Sequence, residues 1–315
     1  MNQARIVVIG EALVDIVVGG EPHAGGSPMN VAVGLARLGR PPVLHSRIGD
    51  DAHGDLIRAH LGADRVGIGA RTLVEGPSWT ATATIAEDGG AEYEFALAGE
   101  IAVPELDELA LVHTGSIGAL REPGSSALLT AFRGAPAGTL RSFDPNIRAD
   151  VIGPADAARR RVFELAAASH VVKLSDEDAA WLRPDASLDD VLDALAAGGT
   201  RFVVITRGAQ GAVALVDGTR YERPAVRVDV VDTIGAGDAF MSGLLFGLLR
   251  DGADRLIVEG APIPAEDVEA ALDTALVSGA ITVSRAGANP PGLTELEERL
   301  EAARAVSDDD GRRSG

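Results

Sequence analysis

The 315-residue sequence has no cysteine. Disulfides, thiolate metal centres and cysteine nucleophiles are therefore excluded. Lysine is almost absent as well: of 28 basic side chains only Lys173 is a lysine. Because it lies between Val172 and Leu174, the Gly-Lys-Ser/Thr of a Walker A phosphate loop cannot occur. Aromatic residues make up 3% of the chain, which leaves little surface for stacking flat ligands. Long apolar runs are missing too. The run at residues 6–9, Ile-Val-Val-Ile, is too short for a signal-peptide core or a membrane span, so the cytoplasm is the expected location and no membrane partner is expected. Forty-seven acidic residues against 28 basic ones give a net charge of −19, which repels nucleic acid at long range.

What is present suits a globular protein: 46% hydrophobic residues, 24% charged residues and 38 glycines. At this length one large α/β domain or two ordinary ones can bury a core without metal or disulfide. No fixed-period repeat and no dividing linker is found, so residues 1–303 read as a single domain. Residues 304–315 are polar and glycine-containing and are expected to be a disordered tail.

Short β-branched or aromatic runs at 6–9, 111–114, 140–143, 170–173 and 201–206 read as strands. Helical spacing at 30–38, 126–133, 155–168, 188–197, 239–249 and 267–283 places helices between and after them. This alternation predicts a mostly parallel sheet with helices on both faces. Residues 79–97 depart from it, alternating with period two around the turn Glu87-Asp-Gly-Gly90, and read as a β-hairpin. Residues 13–18 also have strand character. These segments form either a small sheet projecting as a lid, with strands at about 12–18 and 79–97, or an antiparallel edge of the main sheet.

The most informative stretch is Asp232-Thr-Ile-Gly-Ala-Gly-Asp238 before an apolar helix. Small residues at Gly235, Ala236 and Gly237 let backbone N–H groups approach an anion, with the helix dipole behind them. Asp238, in the helix's first turn, is either a cap or a group that handles a proton.

This stretch and Gly25-Gly-Ser-Pro-Met-Asn30 resemble the two signatures of the ribokinase-like (PfkB) family of carbohydrate kinases, closest in motifs to fructokinases. Further similarity runs from about Arg5 to about Leu300. The resemblance implies a three-layer α/β/α core with a small β-sheet lid, which favours the lid over the edge. It implies ATP-dependent phosphorylation of a sugar hydroxyl, with fructose the first-choice acceptor. The alternatives are 2-keto-3-deoxygluconate kinase, ribokinase or nucleoside kinase activity on the same fold, or a catalytically silent sugar-binding homologue.

Asp238 is carried over as the catalytic base, and the amides of residues 235–237 as the anion hole. Asp15, Gly25, Gly26, Asn30 and Arg148 fall on the sugar side, with Arg148 the candidate partner of an acidic sugar. Lys173, Thr206, Gly208, Gly211 and Ser278 fall on the nucleotide side. Where the family often has Asn-x-x-Glu, this sequence has Ser175-x-x-Asp178, so Asp178 is the expected magnesium contact, through water. ATP and Mg2+ are the implied cofactors, with K+ held near residues 229–233 and 284–289 as a further expectation. A homodimer through the edges of the lid is expected. A nicotinamide dehydrogenase is disfavoured, since Gly10, Glu11 and Ala12 follow the first strand in place of Gly-x-Gly-x-x-Gly. The six histidines show no zinc spacing.

Overall fold

A computed structural model describes residues 5–85 and 91–313. The chain opens with β1 (Arg5–Ile9), β2 (Leu13–Val17), β3 (His23–Gly25) and α1 (Ser27–Arg37). β4 (Val43–His45), α2 (Ala52–Ala63) and β5 (Gly67–Ile68) lead to the hairpin strands β6 (Trp79–Ile85) and β7 (Ala91–Ala96). Next come β8 (Leu109–Gly115), α3 (Ser116–Leu120), α4 (Gly124–Gly134), β9 (Leu140–Asp144) and α5 (Ala155–Ala167). They are followed by β10 (Val171–Ser175), α6 (Asp176–Leu182), α7 (Leu188–Ala197), β11 (Phe202–Thr206), β12 (Ala212–Val216) and β13 (Thr219–Arg223). The last elements are α8 (Ala236–Asp251), α9 (Ala253–Glu259), α10 (Ala265–Val283) and α11 (Leu293–Arg313).

Nine strands form one sheet in the order β13-β12-β11-β10-β9-β8-β1-β4-β5. The run from β11 to β5 is parallel, and β12 and β13 close one side as an antiparallel pair. Within β1, Ile6 and Val8 join a core cluster with α1, α8 and α10, while Val7 and Ile9 join another with α4, α5 and α7. Successive side chains thus enter opposite apolar layers, as a parallel sheet covered on both faces requires. This is the three-layer α/β/α architecture.

A second sheet stands apart, in the order β3-β2-β6-β7. β2 runs parallel to β6, with Leu13 opposite Trp79, and β6 pairs with β7 as a hairpin. The lid is therefore a separate sheet, not an edge of the main one. The expected turn at Glu87 to Gly90 lies outside the described residues.

Two features differ from the sequence reading. The antiparallel pair β12–β13 was not anticipated, because short strands of this kind have no partner recognisable by pattern. α11 extends to Arg313, into the segment read as a tail; Glu, Ala and Arg around residues 295–304 are strong helix formers that follow the apolar anchors Leu296 and Leu300.

Candidate active site

Two helix N-termini meet at one carboxylate. Gly235, in the left-handed region at φ 74°, caps α8 and places Asp238 in its first turn, where only 8% of the residue is exposed. Gly26, at φ 111°, precedes α1, and a side chain there would strike the Glu11 carbonyl at 2.7 Å. From the first turn of α1, Ser27 Oγ donates to Asp238 Oδ1 at 2.6 Å and Asn30 Nδ2 donates to Oδ2 at 2.8 Å. The two sequence signatures, whose bonded residues are 211 and 208 positions apart in the chain, are thus joined by direct hydrogen bonds. Burial raises the pKa of Asp238; the Ser27 and Asn30 hydrogen bonds and the charges of Lys173 and Arg148 oppose that rise.

On the lid side, Asp15 lies in β2 opposite His23, and its carboxylate covers Gly25, where a Cβ would meet Oδ2. The side chain reaches solvent, but the cleft walls still raise its pKa, with Arg148 acting against them. Arg148 donates to Asn146 Oδ1 at 2.9 Å and to the Ile147 carbonyl at 3.0 Å. Its charge acts on Glu11, Asp15 and Asp238, so these four groups share one electrostatic neighbourhood.

Glu11 was missed as a site residue. It is 2% exposed, accepts from the Gly118 amide at 2.8 Å and from Ser116, and ties the start of α3 to the turn after β1; burial raises its pKa. The signal available in sequence was an acidic residue directly after a buried strand, where water is scarce.

Beneath α8, Lys173 of β10 is 3% exposed and its Nζ donates to Asp144 Oδ2 at 2.9 Å. Asp144 is wholly buried and its pKa is raised to about 6, by burial first, against the lowering charge of Lys173. Lys173 is therefore an internal ion-pair residue rather than one on an open nucleotide face.

Other nucleotide-side expectations fare unevenly. Thr206 ends β11, and Gly208, at φ 50°, faces open space. Gly211, at φ 89°, is explained by packing: a Cβ would lie 2.1 Å from the Arg223 carbonyl. Ser278 is fully buried, its Cβ against Gly243 between α10 and α8 and its hydroxyl without a hydrogen-bond partner. Asp178 serves as a capping box for α6: Oδ2 accepts from the Ser175 amide at 3.0 Å, and Oδ1 accepts from the Ile147 amide at 2.8 Å. It thereby fixes the loop that leads to Arg148.

The regions expected to hold a monovalent cation do come together. Asp232 accepts from the Ile234 amide at 3.0 Å and the Gly287 amide at 2.8 Å, and Ala288 packs against Gly235. No cluster of three or more His, Asp or Glu side chains suited to a metal ion occurs among the described residues.

Arranged in this way, the site sets the buried carboxylate of Asp238 beside the turn at 235–237, where the Ala236 amide donates to the Thr233 carbonyl at 3.3 Å. The pattern of pfkB family carbohydrate kinases matches residues 3–295. The chain is similar to fructokinase-1 of Oryza sativa subsp. japonica, 32% identical over 324 residues, covering 93% of this chain and 95% of that protein. Among solved structures it is similar to aminoimidazole riboside kinase of Salmonella enterica, complexed with aminoimidazole riboside and an ATP analog: TM-score 0.77, 27% identity, covering 94% and 99%. A fructokinase double mutant of Vibrio cholerae O395, bound to fructose, ADP and potassium, gives TM-score 0.75 and 26% identity, covering 95% and 97%. With its ribokinase-like fold and a family match across nearly its whole length, this chain belongs to the pfkB family of carbohydrate kinases and is a sugar phosphotransferase.

Proposed function

We propose that the protein is a fructokinase, transferring the γ-phosphoryl group of ATP to a hydroxyl of fructose. The observation that carries the reading is Asp238, buried at the head of α8 and oriented by Ser27 and Asn30 beside the turn at 235–237. Fructose is favoured as acceptor because the relatives of about one-third identity are fructokinases.

In this mechanism Asp15 and Asn30 hold the sugar through its hydroxyls, with the backbone of Gly25 and Gly26 closing on it. The reacting hydroxyl gives its proton to Asp238 as its oxygen bonds to the γ-phosphorus and the bond to the ADP oxygen breaks. Residues 235–237 donate N–H groups to the charge on the transferring group. Thr206 and Gly208 border the nucleotide. Asp178 would hold magnesium through water, and the ion would supply charge neutralisation for the phosphates. Potassium near Asp232 and residues 284–289 is a further part of the proposal, tested by assays with and without K+. The lid excludes water so that the sugar competes successfully for the phosphoryl group.

We take the single domain of residues 1–303 as the working unit and the cytoplasm as its location. No helix among the described residues is long and apolar enough to cross a membrane. Pairing of two copies through the lid is checked by sedimentation.

ADP release with magnesium ATP over fructose, ribose, 2-keto-3-deoxygluconate and adenosine tests the reading. Fructose is expected to give the highest kcat/KM. A preference for 2-keto-3-deoxygluconate, whose carboxylate Arg148 could meet, would replace fructose as the substrate.

A further inference from the structure

Lys173 takes no part in the mechanism above, yet its position is unusual. An ammonium in the middle of a buried sheet is unfavourable unless its charge is matched. Here one hydrogen bond to Asp144 holds it, and three carboxylates, Asp144, Asp178 and Asp238, lie within its electrostatic reach. On its other side, Nζ is the nearest atom to the place where a Cβ on Gly237 would stand, at 2.9 Å. The ammonium therefore lies against Gly237 of the turn at 235–237. A side chain added at 237 would press on the lysine, which would have to shift.

We propose that Lys173, fixed by Asp144, is a positioning residue for phosphoryl transfer: it sets a buried positive charge behind the amides of residues 235–237 and so strengthens their hold on the γ-phosphate. A helix N-terminus offers partial charges alone, whereas the ammonium end of a buried ion pair set against it adds a field that low surrounding polarity screens weakly. By engaging Asp144, the ammonium is also kept from bonding Asp238, whose oxygens stay with Ser27 and Asn30. The proposal rests on the kinase reading of the site but not on the choice of sugar.

The test separates charge from scaffolding. The double variant D144N/K173M replaces the pair with neutral groups of similar size, a change that leaves many buried ion pairs no less stable. Its melting temperature is expected to stay near wild type. Calorimetric titration with magnesium AMP-PNP and magnesium ADP should then show AMP-PNP affinity reduced by about tenfold or more, with ADP affinity changed by less than about threefold. Lys173→Gln, which keeps a hydrogen bond to Asp144 without the charge, gives a second route to the same readout should the double variant fail to fold. Unchanged AMP-PNP preference in a folded variant would reduce the pair to a fold element and overturn the proposal. Because no acceptor is needed, an inactive sugar panel would defeat the fructose reading while leaving this measurement intact. Failure of wild-type protein to bind either nucleotide would defeat both.

Discussion

At the scale of single residues, the proposed mechanism depends on a buried carboxylate being kept ready to take a proton. Asp238 loses water on burial and regains part of the loss through Ser27 and Asn30. Asp238→Asn keeps one acceptor oxygen for Asn30, turns the other position into a donor that Ser27 Oγ can accept, and removes the base, so kcat should fall by about 10²–10⁴-fold with AMP-PNP affinity close to wild type. Steady-state kinetics beside calorimetry checks this, and a near-normal kcat would make Asp238 only a cap. The pH dependence follows with a definite sign. The base acts as carboxylate, so kcat declines as pH falls through a folded-state pKa lying above the ordinary value of 3.8. Ser27→Ala removes a donor that favours the charged form, and the acid limb of the kcat profile should therefore move to higher pH. A limb that stays in place or moves down would show that Ser27 does not tune the base.

Among elements, the contact that seats the site is the packing of α8 on α10. Gly243 lies against Ser278, Ala275 and the Thr274 carbonyl, with an added Cβ 2.8 to 3.0 Å from them; at Gly247 the Cα of Ala271 would be 3.0 Å away. Small residues at 243, 247, 271 and 275 thus let two buried helices come close. Gly243→Val should cost about 1–3 kcal/mol, the overpacking outweighing the gain in helix propensity, as read from urea unfolding. This contact also explains one limit of the sequence. Periodicity exposed α1, α8, α10 and the parallel strands β1, β8, β9, β10 and β11, because apolar residues repeat along them, while the very short parallel strands β4 and β5 carry too few residues to show a pattern. The hairpin's alternation exposed the lid strands. Ser278, however, has the side chain of a binding residue and the location of a packing residue, and only the facing glycine tells them apart. Asp178 resisted assignment similarly: a Ser-x-x-Asp before a helix is a capping box by local geometry, whatever lies near it. Asp238 was legible because its motif prescribes a glycine turn, while its partner Ser27 was hidden among ordinary helix-start residues.

For the whole molecule, acidity is tolerated through segregation. A net charge of −19 opposes ATP at a distance, and the proposed site answers with backbone amides, Arg148 and the buried Lys173. Burial has a second global effect through His113. It lies in β8 with no exposure, its Nδ1 paired with Ser142 Oγ at 2.9 Å, and its pKa is lowered from 6.5 to about 3, mainly by desolvation. The unfolded chain then binds this proton more readily than the folded one. The group's contribution is intact above 6.5 and is lost as pH falls from there toward about 3. Between pH 7.5 and pH 5 it should lower stability by about 2 kcal/mol, visible as a fall in the urea midpoint that His113→Asn makes shallower. A wild-type midpoint that rises on acidification would contradict this. The parallel pairing of β2 with β6 also bears on how the protein is made. As the chain leaves the ribosome, β2 and β3 have no completed sheet to join until β4, α2 and β5 have emerged and β6 follows. The roof of the cleft is thus assembled after its floor has begun to form, while α8, with Asp238, is translated later still. A nascent chain halted before α8 would carry a finished lid over a cleft with no base, able at most to hold sugar without phosphorylating it.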